Sequence, residues 1–167
     1  YLNINVILIL IKTINPTTAI AKITLLVCLP GSGKSTLGNI LAKESDSYFL
    51  DDISNQTSDI NLFFADFFQT HQNIQHLIVS DVYFCYEKTL KKAQDILNNH
   101  FPNAIIDVIY FENSYQKCLN NINYRISLGD DRKVLEFLSN TSKTYTIPSH
   151  IQPVSIWQHS TNQFKPK

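Results

Sequence analysis

At 167 residues, with 44% hydrophobic and 17% charged content, the chain is long enough to bury the core of one α/β domain without covalent staples. Its 14 Lys and Arg balance 14 Asp and Glu, so no global basic field argues for nucleic acid, although a local groove is compatible with zero net charge. Cys28, Cys85 and Cys118 are odd in number, widely spaced and without a C-x-x-C pair. This argues against a disulfide framework or zinc site and for a reducing, cytoplasmic setting.

Residues 1–21 read as an extension ahead of the domain, native or not. The apolar run Val6–Ile11, broken by Asn15-Pro16, is too short to cross a bilayer. Ala19-Ile20-Ala21 has the spacing of a signal cleavage site, but no positively charged segment precedes the apolar run, and no membrane association is expected. The functional domain is expected over residues 22–160, with a short tail at 161–167.

The most informative stretch follows the strand-like run Ile23–Val27. It reads C-L-P-G-S-G-K-S-T from Cys28 to Thr36 and leads into a helical pattern over Lys34–Lys43. A Gly-rich turn between strand and helix cradles phosphate, because loop amides and the helix N-terminus converge on the anion. In that reading Pro30, Gly31, Ser32, Gly33, Lys34, Ser35 and Thr36 surround the phosphates. Lys34 reaches the β- and γ-phosphoryl groups, and the Ser35 hydroxyl holds Mg²⁺. A lysine at a helix start opposes the helix dipole unless an anion is present, which a mere glycine cap does not explain. The first glycine of G-x-x-x-x-G-K-[ST] is replaced by Cys28, tolerable if the backbone there keeps φ negative.

Beyond the loop, apolar runs alternate with helical patterns, which implies βαβ units and a parallel sheet. Strands are expected at Tyr48–Leu50, Leu77–Ser80 and Ile105–Phe111, with a possible fifth at Val154–Trp157 after Pro153. Helices are expected at Asp59–His71, Glu87–Asn99, Ser114–Ser127 and Asp131–Ser139. Phe63, Phe64, Phe67 and Phe68 fall on one helical face and read as core.

In an open α/β sheet the ligand lies at the carboxyl ends of the strands. Acids stand there: Asp51 and Asp52 after the second strand, Asp81 after the third. Such carboxylates can take a proton from an acceptor hydroxyl or hold Mg²⁺ and its waters; they can equally be helix N-caps. Arg125 and Arg132 are the only arginines. Arg125 suits a lid position where a guanidinium neutralises charge on a transferring phosphoryl group, whereas Arg132 reads as a surface ion pair beside Asp130, Asp131 and Glu136. The five histidines lack metal-ligand spacing, and Tyr83, Phe84 and Tyr86 read as packing over the sheet end.

From Ile23 to about Leu138 the order of these pieces resembles the P-loop kinases of the polynucleotide 5′-hydroxyl kinase type, grouped with zeta-toxin-like kinases. The resemblance implies a P-loop NTPase fold, three-layer α/β/α with a central, mostly parallel sheet and a small helical lid. It implies ATP and Mg²⁺, with γ-phosphoryl transfer to a hydroxyl. Asp51 would be the general base, Asp52 and Asp81 would bind the acceptor, and Arg125 would be the lid arginine. The resemblance puts a nucleic-acid 5′-hydroxyl first as acceptor, with a nucleoside, nucleotide, sugar or other small hydroxyl-bearing metabolite as the alternative. A third reading is ATP binding without transfer. Departures gather on the acceptor side: Ser54 and Asn121 stand where the family often has arginines, and Val82-Tyr83 where it has Asn or Thr.

Overall fold

The computed structural model describes residues 20–71, 73–130, 134–159 and 163–164. Four parallel strands form the sheet: β1 (Lys22–Val27), β2 (Ser47–Asp51), β3 (His76–Ser80) and β4 (Ile105–Tyr110), in the order β2-β3-β1-β4. β1 is central, and after Lys22 all its residues are buried, because a parallel strand covered on both faces has no solvent side. The helices are α1 (Lys34–Leu41), α2 (Ile60–Thr70), α3 (Glu87–His100), α4 (Tyr115–Ser127) and α5 (Leu135–Thr144). Among the described residues no helix is long and apolar enough to cross a membrane.

Alternation along β1 sends its side chains into two cores. Ile23, Leu25 and Val27 join Phe64 and Phe67 of α2, Leu90, Ala93 and Leu97 of α3, Ile122 of α4 and Leu138 of α5. Leu26 and Cys28 join Ile78 and Phe111 on the opposite face, covered by Leu37 and Leu41 of α1. The fold is therefore the expected three-layer α/β/α sandwich. Gly38 lets α1 close on the sheet, since a Cβ there would lie 2.3 Å from the Phe49 ring. Of the expected phenylalanine face, Phe64 and Phe67 are buried and Phe63 packs against them; the side chain of Phe68 lies outside those described.

Two elements differ from expectation. The fifth strand shrinks to one parallel bridge, Phe111 to Val154. Pro153 precedes it, and two residues past the bridge the Ile156 amide donates to the Glu112 carboxylate (3.0 Å) instead of to a neighbouring strand. The chain then leaves the sheet: Trp157–Gln158 (β5) pairs antiparallel with Gln163–Phe164 (β6). The last helix runs on to Thr144, past the expected end at Ser139, while residues 131–133 of its expected start lie outside the described residues. Ser142 and Thr144 donate back to Ser139 O and Thr141 O within the helix, so these hydroxyls do not end it. Buried Leu138 and Thr141 hold its inner face.

Candidate nucleotide-binding site

The strand β1 stops at Val27 and the chain turns across the sheet's carboxyl edge into α1. Gly31 (φ 83°) and Gly33 (φ 96°) make that turn in left-handed backbone, which glycine adopts without the cost a Cβ imposes. At Gly31 a Cβ would also lie 2.6 Å from the carbonyl oxygen of Cys118 on α4. Cys28 is not among the described non-glycine residues with positive φ, so the position needs no glycine. Its side chain fills the α1-side core, and burial pushes its thiol up to about 12, with the nearby Lys34 charge opposing only in part.

Lys34 begins α1 and turns back to the ends of β2. Its ammonium is ion-paired with Asp51 and lies 2.7 Å from Asp52 Oδ1. Asp52 reaches it from left-handed backbone (φ 48°), a conformation aspartate tolerates better than most residues. Ser35 Oγ donates to Asp51 Oδ2 (2.5 Å), and Ser80 Oγ, from the end of β3, donates to Asp51 Oδ1 (2.5 Å). Burial alone would lower the Lys34 pKa, but hydrogen bonds and charge from Asp51 and Asp52 outweigh it and hold the ammonium above its ordinary value. Burial likewise pushes Asp51 up; Lys34, Ser35 and Ser80 overcome it and hold the carboxyl below the usual range. Asp51 is thus a carboxylate kept charged, and kept weak as a base, by the lysine.

Arg125, in the last turn of α4, lines the same cavity as Gly31, Lys34, Thr36 and Asp52. Its Nε lies 3.7 Å from Asp130 Oδ2 across the Gly129 turn. Lys34, Ser35, Asp51, Asp52 and Arg125 are therefore gathered in one place. Asp81 stands apart. It is 3% exposed, and its two oxygens accept from Ser54 N (2.7 Å) and Tyr83 N (2.8 Å), tying the turn after β2 to the turn after β3. Arg132 lies outside the described residues.

Two contributors were not legible as such in the sequence. Asn121, a departure from the arginine expected there, is buried, and its Nδ2 donates to Gly31 O (2.8 Å) and Trp157 O (2.7 Å). Trp157 N donates to Ser32 O (2.9 Å). The back of the phosphate loop is thus clasped by α4 and the segment leaving the sheet, and Trp157 and His159 complete the cavity wall. Nothing local to Trp157 announces a contact with a loop more than a hundred residues away.

The residues present suit a bound Mg²⁺ nucleotide. Ser35 Oγ stands at the start of α1 as a hard oxygen donor, and Gly31 leaves a cradle that a Cβ would fill. Among the described residues no group of three or more His, Cys, Asp or Glu is placed to hold a metal ion.

Solved structures share this fold. A gluconokinase from Sinorhizobium meliloti 1021 superposes with a TM-score of 0.53 and 16% identity, over 83% of this chain and 85% of that one. The protein APE1195 does so with a TM-score of 0.53 and 18% identity, over 83% and 86%. The likeness is one of fold: a parallel sheet in an α/β/α sandwich, matched over most of both chains. No protein-family model and no curated protein sequence matches the chain.

Proposed function

We propose that this chain is an ATP-dependent kinase that transfers the γ-phosphoryl group to a hydroxyl of a small molecule. The observation that carries the reading is the placement of Lys34, Ser35 and Asp51 in mutual contact at the mouth of the phosphate loop. When the phosphates of ATP enter, their charge competes for the Lys34 ammonium. Asp51 then loses the cation that depresses its pKa and becomes a better proton acceptor for a hydroxyl at the sheet edge. Ser35 is the hydroxyl that would hold Mg²⁺, which would supply charge neutralisation to the transferred phosphates. Arg125 faces the same cavity and would offset charge on the group in flight, and Asp52 would help seat the acceptor. Asp81 would act indirectly, by fixing the Ser54 turn through its two amide bonds.

A small acceptor is favoured over a polynucleotide end on three grounds. Asn121 is consumed in clasping the loop, so it offers no charge to an acceptor phosphate. Ser54 brings no cation, and phosphate contacts carry much of the affinity for nucleic acid. One structural neighbour is a gluconokinase, by its name a small-molecule kinase.

The test is transfer from γ-labelled ATP with Mg²⁺ to a panel of sugars, sugar acids, nucleosides and 5′-hydroxyl oligonucleotides. Label in a small molecule, reduced about 10²-fold or more by Asp51→Asn, is expected. Label only in oligonucleotides would restore the polynucleotide reading. Nucleotide binding with no transfer to any member would leave an ATP-binding module.

A further inference from the structure

On the side of the Ser54 and Tyr83 turns away from the phosphate loop lies a second cavity of about 350 Å³, between α2, α3 and the end of β3. Its buried walls are Phe64, Val79, Ala93 and Leu97. One charged group reaches this interior, the Asp81 carboxylate, and both its oxygens are already occupied by amide hydrogens. At the rim the chemistry reverses. Lys88 and Lys92, both exposed, line the cavity from successive turns of α3.

These two lysines are poorly explained by the helix alone. Like charges at i and i+4 face each other and destabilise a helix slightly. Lys91, between them, has an acidic partner in Asp95 at 2.6 Å, whereas neither Lys88 nor Lys92 is ion-paired among the described residues. An apolar chamber of this volume is within the range of small-molecule sites, which combine apolar walls with few placed polar groups. Two unpaired ammonium groups at the mouth of a chamber with apolar walls complement an anion with an apolar body.

We infer that this cavity is a binding site for a small organic anion, its ring or alkyl body against Phe64, Val79 and Leu97 and its carboxylate or phosphate between Lys88 and Lys92. The site is separate from the phosphate loop, although Ser54 and Asp81 in its lining also shape the acceptor side of the proposed kinase site, and its test needs no nucleotide. Its occupant rests on the same two turns that carry Asp52 and Val82 into the nucleotide cavity.

The full chain is titrated calorimetrically, without nucleotide, with 4-phenylbutyrate, with phenyl phosphate and with the neutral 4-phenylbutyramide. At least one anion is expected to bind tenfold or more tightly than the amide, and the better of the two identifies the headgroup. The double variant K88Q/K92Q, changed only at exposed positions, is expected to bind that anion no better than the amide. Absence of binding, equal affinity for anion and amide, or a preference that survives K88Q/K92Q would each overturn the assignment.

Discussion

Lys34 and Asp51, seventeen residues apart, form an ion pair across the mouth of the phosphate loop. Asp52 shares the same ammonium, and Ser35 and Ser80 share the same carboxylate. The pair thus joins the start of α1 to the ends of β2 and β3. The Lys34 side chain is only 11% exposed, so the contact is poorly screened compared with a surface ion pair.

This pair has a pH window. The Asp51 pKa is depressed, so its stabilisation is present above the unfolded carboxylate value of about 3.9 and is lost as pH falls through the folded value. The Lys34 pKa is raised, so its stabilisation is present below about 10.4 and is lost as pH rises through the folded value. Asp51→Asn should therefore cost about 1–2 kcal/mol at neutral pH. The difference from the parent chain should shrink in acid, as urea denaturation at a series of pH values will show.

Asn121→Ala removes the donor to two carbonyls behind the phosphate loop. A loss of about 1–3 kcal/mol in stability is expected, because both oxygens lose a buried partner. Nucleotide affinity should fall with it, since Gly31 O is then no longer held. Thermal unfolding and nucleotide titration of the same variant check both effects.

Gly31 and Cys28 make opposite predictions within one loop. Gly31→Ala puts a Cβ into left-handed backbone and against the Cys118 carbonyl, at about 1–2 kcal/mol for the backbone alone, and should abolish nucleotide binding. Cys28→Ala removes a buried thiol from ordinary backbone and should keep nucleotide affinity within about threefold, at a stability cost of about 1 kcal/mol. Parallel binding curves for the two variants separate loop geometry from packing.

Asp81→Ala should release the turns after β2 and β3 from each other. Two hydrogen bonds to a carboxylate are lost, for about 2–3 kcal/mol in stability. If Asp81 acts through the Ser54 turn, the kinetic effect falls on acceptor KM more than on ATP KM, and steady-state kinetics with each substrate varied will show the split.

The turn from Cys28 to Thr36 was readable because its signals are local: glycines where the backbone turns left-handed, and a lysine and hydroxyls opening α1. The parallel sheet was readable because buried strands such as Ile23–Val27 are continuous apolar runs. What escaped the sequence was long-range. Asn121 looked like a lost arginine until it met Gly31 and Trp157. Asp81 was readable as a cap, and its bond from Tyr83 N is one; the second amide, from Ser54 in another turn, was not readable. Val154–Trp157 looked like a strand, but the Glu112 side chain claims the Ile156 amide. Each outcome depends on a partner far away in sequence, where periodicity and spacing carry no signal.

The account stands most directly on equilibrium binding of a slowly hydrolysed ATP analogue with Mg²⁺, measured by calorimetry for the parent chain and for Lys34→Ala. Saturable one-site binding by the parent and a loss of about 30-fold or more in the variant are predicted, as expected when a charge-assisted phosphate contact is removed. Absence of binding by the parent, or equal binding by both, would contradict the assignment of this loop as an ATP site.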